Sequence, residues 1–264
     1  MKMKTALSIA GSDCSGGAGI QADIKTMSSL GVFGMSVIVS VVAENTSRVL
    51  SIEDISPSMI KSQIDAIFED IEVDAVKIGM LSTPPCIMAV YESLVKYKPK
   101  NIVVDPVMYA KNGCPLMPPH SIEHLVKYIL PLASIITPNI PEAEHIANMQ
   151  IKTIEDMRLA CKKIYEFGVK NVLIKGGHFQ GDAIDILYDG KNFYEFTNER
   201  INTKNTHGTG CTLSSAIASF LAKGESMEIA VKNAKEYVTN AIKHSLEIGK
   251  GHGPTNHFWK FYKD

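Results

Sequence analysis

A three-layer αβα sandwich built around a mostly parallel sheet is the α/β fold class that this sequence predicts, on three observations. Short apolar runs of strand length alternate with longer stretches whose apolar residues fall three or four apart, the rhythm of β-α-β units. Several of the short runs are apolar at consecutive positions, as expected of strands covered by helices on both faces. The chain has 264 residues, 45% hydrophobic and 21% charged, a balance that supplies a full core and gives no support to disorder or a fibrous repeat. At roughly 150 residues per domain the length would allow two domains. No linker, repeat or low-complexity tract interrupts the chain, so a single domain over residues 1–264 is expected.

Taken in order, candidate strands lie at residues 5–10, 36–42, 75–78, 101–104, 134–137 and 172–174. Between them, Ile60, Ile64, Ile67 and Ile71 share one helical face, and so do Met157, Ala160, Ile164 and Phe167, after which Gly168 ends the helix. Residues 209–221 and 227–246 read as two consecutive helices joined through Lys223-Gly224-Glu225.

Charge and composition narrow the function classes. Twenty-seven Lys and Arg against 28 Asp and Glu leave a formal charge of −1, so no positive field exists to attract nucleic acid or anionic lipid. No apolar run approaches the roughly 18 residues of a membrane span, and Met1-Lys2-Met3-Lys4 leads into only a short apolar stretch; a cytoplasmic protein with no membrane partner is expected. Five scattered cysteines, never in a C-x-x-C pair, disfavour disulfides or zinc and suggest a reducing compartment. The eight histidines form no H-E-x-x-H, and the helical pair His120 and His124 is expected at the surface.

In open parallel sheets ligands bind where strands end and loops begin, and five such places stand out. The first is residues 11–19, whose glycines let backbone approach a ligand closely. Gly17, Gly19 and Ala22 also fit G-x-G-x-x-A, with Glu44 about where a ribose-binding acid belongs, which makes an NAD(P)-binding oxidoreductase the rival from another class. Against it, six residues separate Ala10 from Gly17, whereas a dinucleotide turn follows its strand at once. The second place is Asp105, at the end of a very apolar strand, where a carboxylate can hold Mg²⁺ near phosphates or merely bond a loop amide. The third, residues 137–144, offers Asn139, Glu142 and Glu144 at a helix start, where acids commonly just complement the dipole. The fourth is Lys175, emerging from a buried strand into Gly176-Gly177, which suits phosphate as well as it suits simple snorkelling.

The fifth place carries most weight. Thr206-His207-Gly208-Thr209-Gly210-Cys211 runs directly into a helix whose first amides are unpaired and whose dipole adds positive charge, so an anion should bind there. The same field predicts that the Cys211 thiol falls below the ~8.5 of a free cysteine. A proton acceptor and an anion cradle would then coincide; the plain alternative is a small cysteine packing a helix.

Taken together, these pieces resemble the ribokinase-like superfamily, and more closely the hydroxymethylpyrimidine/phosphomethylpyrimidine kinases of thiamine biosynthesis. The match runs nearly end to end: GSDCSGGAGIQADIKT, AENT (43–46), KIGML (77–81), VDPVM, TPNIPEAE, IKGGH, NTHGTGCTLSSAIA and Gly251-His252-Gly253-Pro254, in that order. Most of the superfamily has Asp where these kinases, and this chain, have Cys. The resemblance implies a ribokinase-like domain that uses ATP and Mg²⁺ to phosphorylate the hydroxymethyl of 4-amino-5-hydroxymethyl-2-methylpyrimidine and then the resulting monophosphate. By position it implies that Gly208, Thr209, Gly210 and Cys211 serve the travelling phosphoryl, with Cys211 as base. It implies Asn139, Lys175, Thr206 and His207 near ATP phosphates, Asp105 and Glu142 as Mg²⁺-linked acids, and Gly11, Ala18, Glu44, Met80 and Val107 around the pyrimidine. It also implies a homodimer.

One residue departs from the pattern. Many members carry Gln at position 44, whose amide both donates and accepts; ionised Glu only accepts. Either Glu44 is protonated, which burial would encourage, or the aminopyrimidine binds with its ring protonated. The departure keeps open a pyridoxine or pyridoxal kinase, for which Glu44, Met80 and Val107 are the discriminating positions.

Overall fold

The computed structural model describes residues 2–110, 113–177 and 183–262. Strands β1 (Thr5–Asp13), β2 (Phe33–Glu44), β3 (Val49–Asp54), β4 (Ala75–Ile78), β5 (Ile102–Val104), β6 (Ile135–Ile136), β7 (Val172–Ile174), β8 (Ala183–Tyr188) and β9 (Phe193–Asn198) form one sheet in the order β3-β2-β1-β4-β5-β6-β7-β8-β9. From β2 to β7 every pairing is parallel, while β3 adds antiparallel to β2, and β8 and β9 add antiparallel beyond β7.

Helices α1 (Gly19–Ser29), α2 (Pro57–Phe68), α3 (Pro84–Tyr97), α4 (Pro119–His124), α5 (Ile140–Ala147), α6 (Ile154–Tyr165), α7 (Thr209–Ala222) and α8 (Met227–Lys243) cover the two faces. Residues of α2 to α6 pack with Leu7, Ile9, Val104 and Ile174, and residues of α1, α7 and α8 with Ala6, Val103 and Leu173. Neighbours such as Ala6 and Leu7, or Val103 and Val104, thus enter different cores, which is why these strands read as unbroken apolar runs. Each buried Leu, Ile or Val adds about 1.5–3 kcal/mol.

Local signals set the helix ends. Pro57 opens α2 behind Ser56, whose hydroxyl accepts the Met59 amide at 3.3 Å. Ile60 and Ile64 are fully buried, but Ile71 lies beyond the helix and only packs against its core. Gly168, at φ +94°, closes the turn after α6, so Phe167 falls outside the helix and stays exposed. Helix α8 stops at Lys243, short of the expected residue 246. His124 Nδ1 bonds the carbonyl of His120 at 2.8 Å on the surface, as a local helical contact.

The sequence pattern missed β3, β8 and β9. They are the antiparallel flanks of the sheet, half exposed and without a continuous apolar run, and β3 is exposed along nearly its whole length. β1 runs on past the expected end, through a shift of register between Ala10 and Gly11, to Asp13. The strand order reverses between β1 and β4, and the crevice at such a switch point is where an open α/β sheet places its ligand.

Candidate active site

At this edge the ends of β1, β2, β4, β5 and β7 deliver Gly11 to Asp13, Glu44, Met80, Asp105 and Lys175 to one cavity of about 760 Å³. The starts of α5 and α7 close it. All fifteen site residues named from the sequence line this cavity: Gly11, Ala18, Glu44, Met80 and Val107; Asp105, Asn139, Glu142 and Lys175; and Thr206 to Cys211. His178, which closes the IKGGH motif, lies outside the described residues.

The glycine-rich loop folds onto a carboxylate of its own chain. Asp13 accepts the amides of Ser15 at 2.7 Å, Gly17 at 3.0 Å and Ala18 at 2.8 Å, and His207 Nε2 at 2.8 Å. Burial works against its ionisation, but His207 and the Ser15 and Ala18 donors overcome this and pull its pKa down to about 2. These amides are therefore spent within the chain, which removes the pyrophosphate cradle that the dinucleotide reading needs. Glu44, at the end of β2, is pushed up to about 7 by burial and by the Asp13 charge, with His207 opposing. Asp13, Glu44 and His207 hold potential ligand atoms within 4.8 Å of one another. Since Asp13 and His207 already bond each other, the cluster reads as a hydrogen-bonded group at the pocket wall.

Across the cavity Asp105 is buried and accepts Lys175 Nζ at 3.0 Å and Thr137 Oγ1 at 3.3 Å. Asn139 caps α5: its Oδ1 accepts the Glu142 amide at 2.9 Å, and Glu142 Oε2 accepts the Asn139 amide at 2.7 Å. The Asn139 oxygen is thus committed to the helix, leaving its NH₂ for the cavity. Burial pushes Glu142 up to about 7, against the pull of Lys175, with the Asp105 charge adding to the rise. Lys175 is the reverse case: burial favours its neutral form, yet Asp105 and Glu142 raise its pKa and hold it charged. Two buried carboxyls sharing one lysine form a hard-oxygen donor set with spare negative charge, which suits Mg²⁺.

Helix α7 opens on Gly208, at φ +79° with no side-chain cap. A Cβ there would lie 1.8 Å from the Gly17 carbonyl oxygen, so only glycine lets the two loops touch. Gly208 to Cys211 line the cavity, and the first amides of a helix have no intrahelical acceptor; that of Thr209 is given to the Thr206 carbonyl at 3.4 Å. A Cβ on Gly210 would come within 3.2 Å of Asp105 and 3.4 Å of Lys175, which shows how closely this turn packs on the ion pair.

The expectation for Cys211 is overturned. Its thiol is pushed up to about 12, first by burial and further by Asp23 and Asp105, while Lys77 and a hydrogen bond from the Gly19 amide only partly oppose this. A helix start contributes about half a charge; desolvation of the sulfur outweighs it.

Residues that motif reasoning did not assign complete the cavity. Beyond Lys175 the wall continues through Asn198, Ile201, Leu213, Val238, Thr239 and Ile242, with the Lys235–Asp185 ion pair at 2.7 Å. Asp185 and Asn198 come from β8 and β9, which the sequence pattern did not predict, and the α7 and α8 residues join the wall only through the tertiary packing.

The family described as phosphomethylpyrimidine kinase matches residues 13–256. The chain is 47% identical over 95% of its length to a thiamine biosynthesis bifunctional protein, ThiED, of Geobacter sulfurreducens, of which it spans about half (51%). It is 45% identical to a hydroxymethylpyrimidine/phosphomethylpyrimidine kinase of Bacillus subtilis, covering 98% of this chain and 96% of that one. Among solved structures, a phosphomethylpyrimidine kinase from Clostridium difficile is 50% identical with a TM-score of 0.82, covering 91% of this chain and all (100%) of that one. An ADP complex of Bacillus subtilis pyridoxal kinase is 40% identical with a TM-score of 0.91, covering 97% and 98%. No described helix is long and apolar enough to cross a membrane. With the matched span covering most of the chain and the sheet order carrying the expected residues to one crevice, the chain belongs to the phosphomethylpyrimidine kinase family.

Proposed function

We propose that this protein transfers the γ-phosphoryl of ATP to the hydroxymethyl of 4-amino-5-hydroxymethyl-2-methylpyrimidine, and then phosphorylates the monophosphate to the diphosphate. The observation that carries the reading is that the acceptor-side group around Glu44 and Met80 and the anion-binding turn at Gly208 to Cys211 share one cavity, with Lys175 and Asp105 beside that turn. Phosphoryl transfer asks mainly for alignment and charge neutralisation. The amides of α7 and the Lys175 ammonium supply positive charge where the travelling phosphoryl would sit, and Asn139, Thr206 and His207 border it. The apolar wall of Ile201, Leu213, Val238 and Ile242 suits the adenine. Asp105 and Glu142 would hold Mg²⁺, which contributes charge neutralisation at the phosphates when bound. We assign the whole of residues 1–264 to a single kinase domain working in the cytoplasm, as a homodimer.

In the first transfer we assign to Cys211 the proton of the acceptor alcohol, a role that requires the thiolate, the minor form of a thiol pushed up to about 12. In the second no base is needed, because a phosphate oxygen is already a nucleophile. Coupled ADP detection with the hydroxymethylpyrimidine, its monophosphate and pyridoxine in parallel tests the assignment: release with the first two is expected, and its absence with both would refute it. Pyridoxine turnover alone would establish the second reading, which the likeness to the pyridoxal kinase favours.

A further inference from the structure

One face of α8 builds the cavity wall beyond Lys175. Lys235, Val238, Thr239 and Ile242 all line the cavity, at the i, i+3, i+4, i+7 spacing that keeps side chains on one side of a helix. Strand β9 runs up to this face. Tyr194 and Phe196 alternate along the strand and pack with α7 and α8, and the same period of two brings Asn198 to that side. An amide thus stands where the pattern would continue with an apolar ring, and it lines the cavity together with Ile201, Val238 and Ile242.

The amide is held in one orientation. Thr239 Oγ1 donates to the Lys235 carbonyl at 2.7 Å, which uses its single proton, so toward Asn198 it can only accept. Asn198 Nδ2 supplies that hydrogen bond. Turning the amide over would set Oδ1 against the hydroxyl oxygen, two acceptors face to face. Asn198 Oδ1 and the second Nδ2 proton stay unpaired among the described residues.

The place of this amide along the sheet selects its ligand. Glu44 ends β2, Asp105 follows β5, Lys175 follows β7 and Asn198 ends β9, in that order across the sheet. With the acceptor toward β2 and the travelling phosphoryl beside Lys175, in-line transfer directs the rest of the nucleotide away from the acceptor, toward β9. Two strand spacings, roughly 10 Å, separate β7 from β9. That leaves room for a ribose before the apolar wall.

We propose that Asn198, oriented by Thr239, selects adenine over guanine in the phosphoryl donor. This rests on the nucleotide reading of the cavity. An adenine edge offers its 6-amino donor next to a ring-nitrogen acceptor, and a side-chain amide meets both at once. Guanine carries the reverse at positions 6 and 1, an acceptor oxygen beside a protonated nitrogen, so the fixed amide faces it donor to donor and acceptor to acceptor. Released from Thr239, the same amide could turn over and fit guanine as well.

Calorimetric titration of the parent, Asn198→Ala and Thr239→Val with ADP and with GDP, both in Mg²⁺, tests this. The parent should bind ADP about tenfold to a hundredfold more tightly than GDP, the span of one bidentate base contact. In Asn198→Ala the ADP affinity should fall until the two nucleotides bind alike. Thr239→Val should leave ADP nearly as tight and bring GDP up toward it. A parent that binds both alike, a ratio that survives both substitutions, or no ADP binding at all would overturn the inference. If Asn198 merely joined β9 to α8, each variant would weaken both nucleotides equally and the ratio would stand. The titration needs no acceptor: were neither pyrimidine phosphorylated, the proposed activity would fall while the ADP-to-GDP ratio still decided the role of Asn198.

Discussion

Glu44 shows how a single atom's difference from an amide becomes a pH dependence. A carboxyl held near pKa 7 by burial and by Asp13 is half protonated at neutral pH, so it can present either a donor or a bare acceptor to an aminopyrimidine edge. Whether the shared proton starts on Glu44 or on the ring nitrogen, the bound pair needs one. The acceptor KM should therefore rise as pH climbs above 7, by up to about tenfold per unit, and stay flat in Glu44→Gln; superimposable KM profiles would contradict this. Stability follows the same ionisation. A carboxyl whose folded pKa lies above its ordinary 4.5 carries a penalty that grows from that value and is complete above about 7. Glu44→Gln should thus melt a few degrees higher at pH 8 and close to the parent at pH 4, as calorimetry at the two pH values would show. Cys211 teaches the opposite lesson: a helix-start dipole visible in the sequence was outweighed by a desolvation that only the packing reveals.

The site depends on elements meeting backbone to backbone. At the α7 start, Gly208→Ala would place a methyl against the Gly17 carbonyl and force an L residue into positive φ. Activity should drop at least about a hundredfold, as loss of an anion-binding amide does elsewhere, with the far-UV spectrum unchanged; near-parental turnover would mean the loops need not touch. The segment around Gly251-His252-Gly253-Pro254 fastens two other elements. The Gly251 amide bonds Thr46 Oγ1 at 3.0 Å and the His252 amide bonds the Thr46 carbonyl at 2.8 Å, while the Gly253 carbonyl accepts the His207 amide at 3.1 Å. A Cβ on Gly251 would lie 2.1 Å from the Thr46 carbonyl oxygen. The strap thereby ties the end of β2, with Glu44, to the loop before α7. Gly251→Ala should raise the acceptor KM several-fold, and Thr46→Val should do so more than Thr46→Ser, which keeps the hydroxyl; equal effects of Val and Ser would remove that hydrogen bond from the explanation.

For the molecule as a whole, the exposed β3, with Leu50 at 60% and Ile52 at 37% exposure, leaves an apolar edge on the side of the sheet that carries Glu44. An uncovered edge of this kind invites pairing, and it is the surface the proposed homodimer would use. Light scattering should give twice the chain mass of 28.9 kDa, and Leu50→Glu with Ile52→Glu should lower it; a monomeric parent would refute the dimer. The parallel centre of the sheet was legible because strands buried on both faces are apolar at most consecutive positions, as residues 102–104 and 172–174 are. The flanks were not, because β8 and β9 are adjacent strands of an antiparallel pair that are only partly buried and so need no continuous apolar run. What the sequence determined by itself was the chemistry at the strand ends and helix starts, since glycines, acids and a lysine placed there follow from local spacing. The tertiary structure alone decided which of those groups share a charge environment. It commits the loop amides to Asp13, gives Asn139 and Glu142 to each other, pairs the buried Lys77 with Asp23 and raises the Cys211 thiol, because desolvation and long-range pairing act only once the chain has folded.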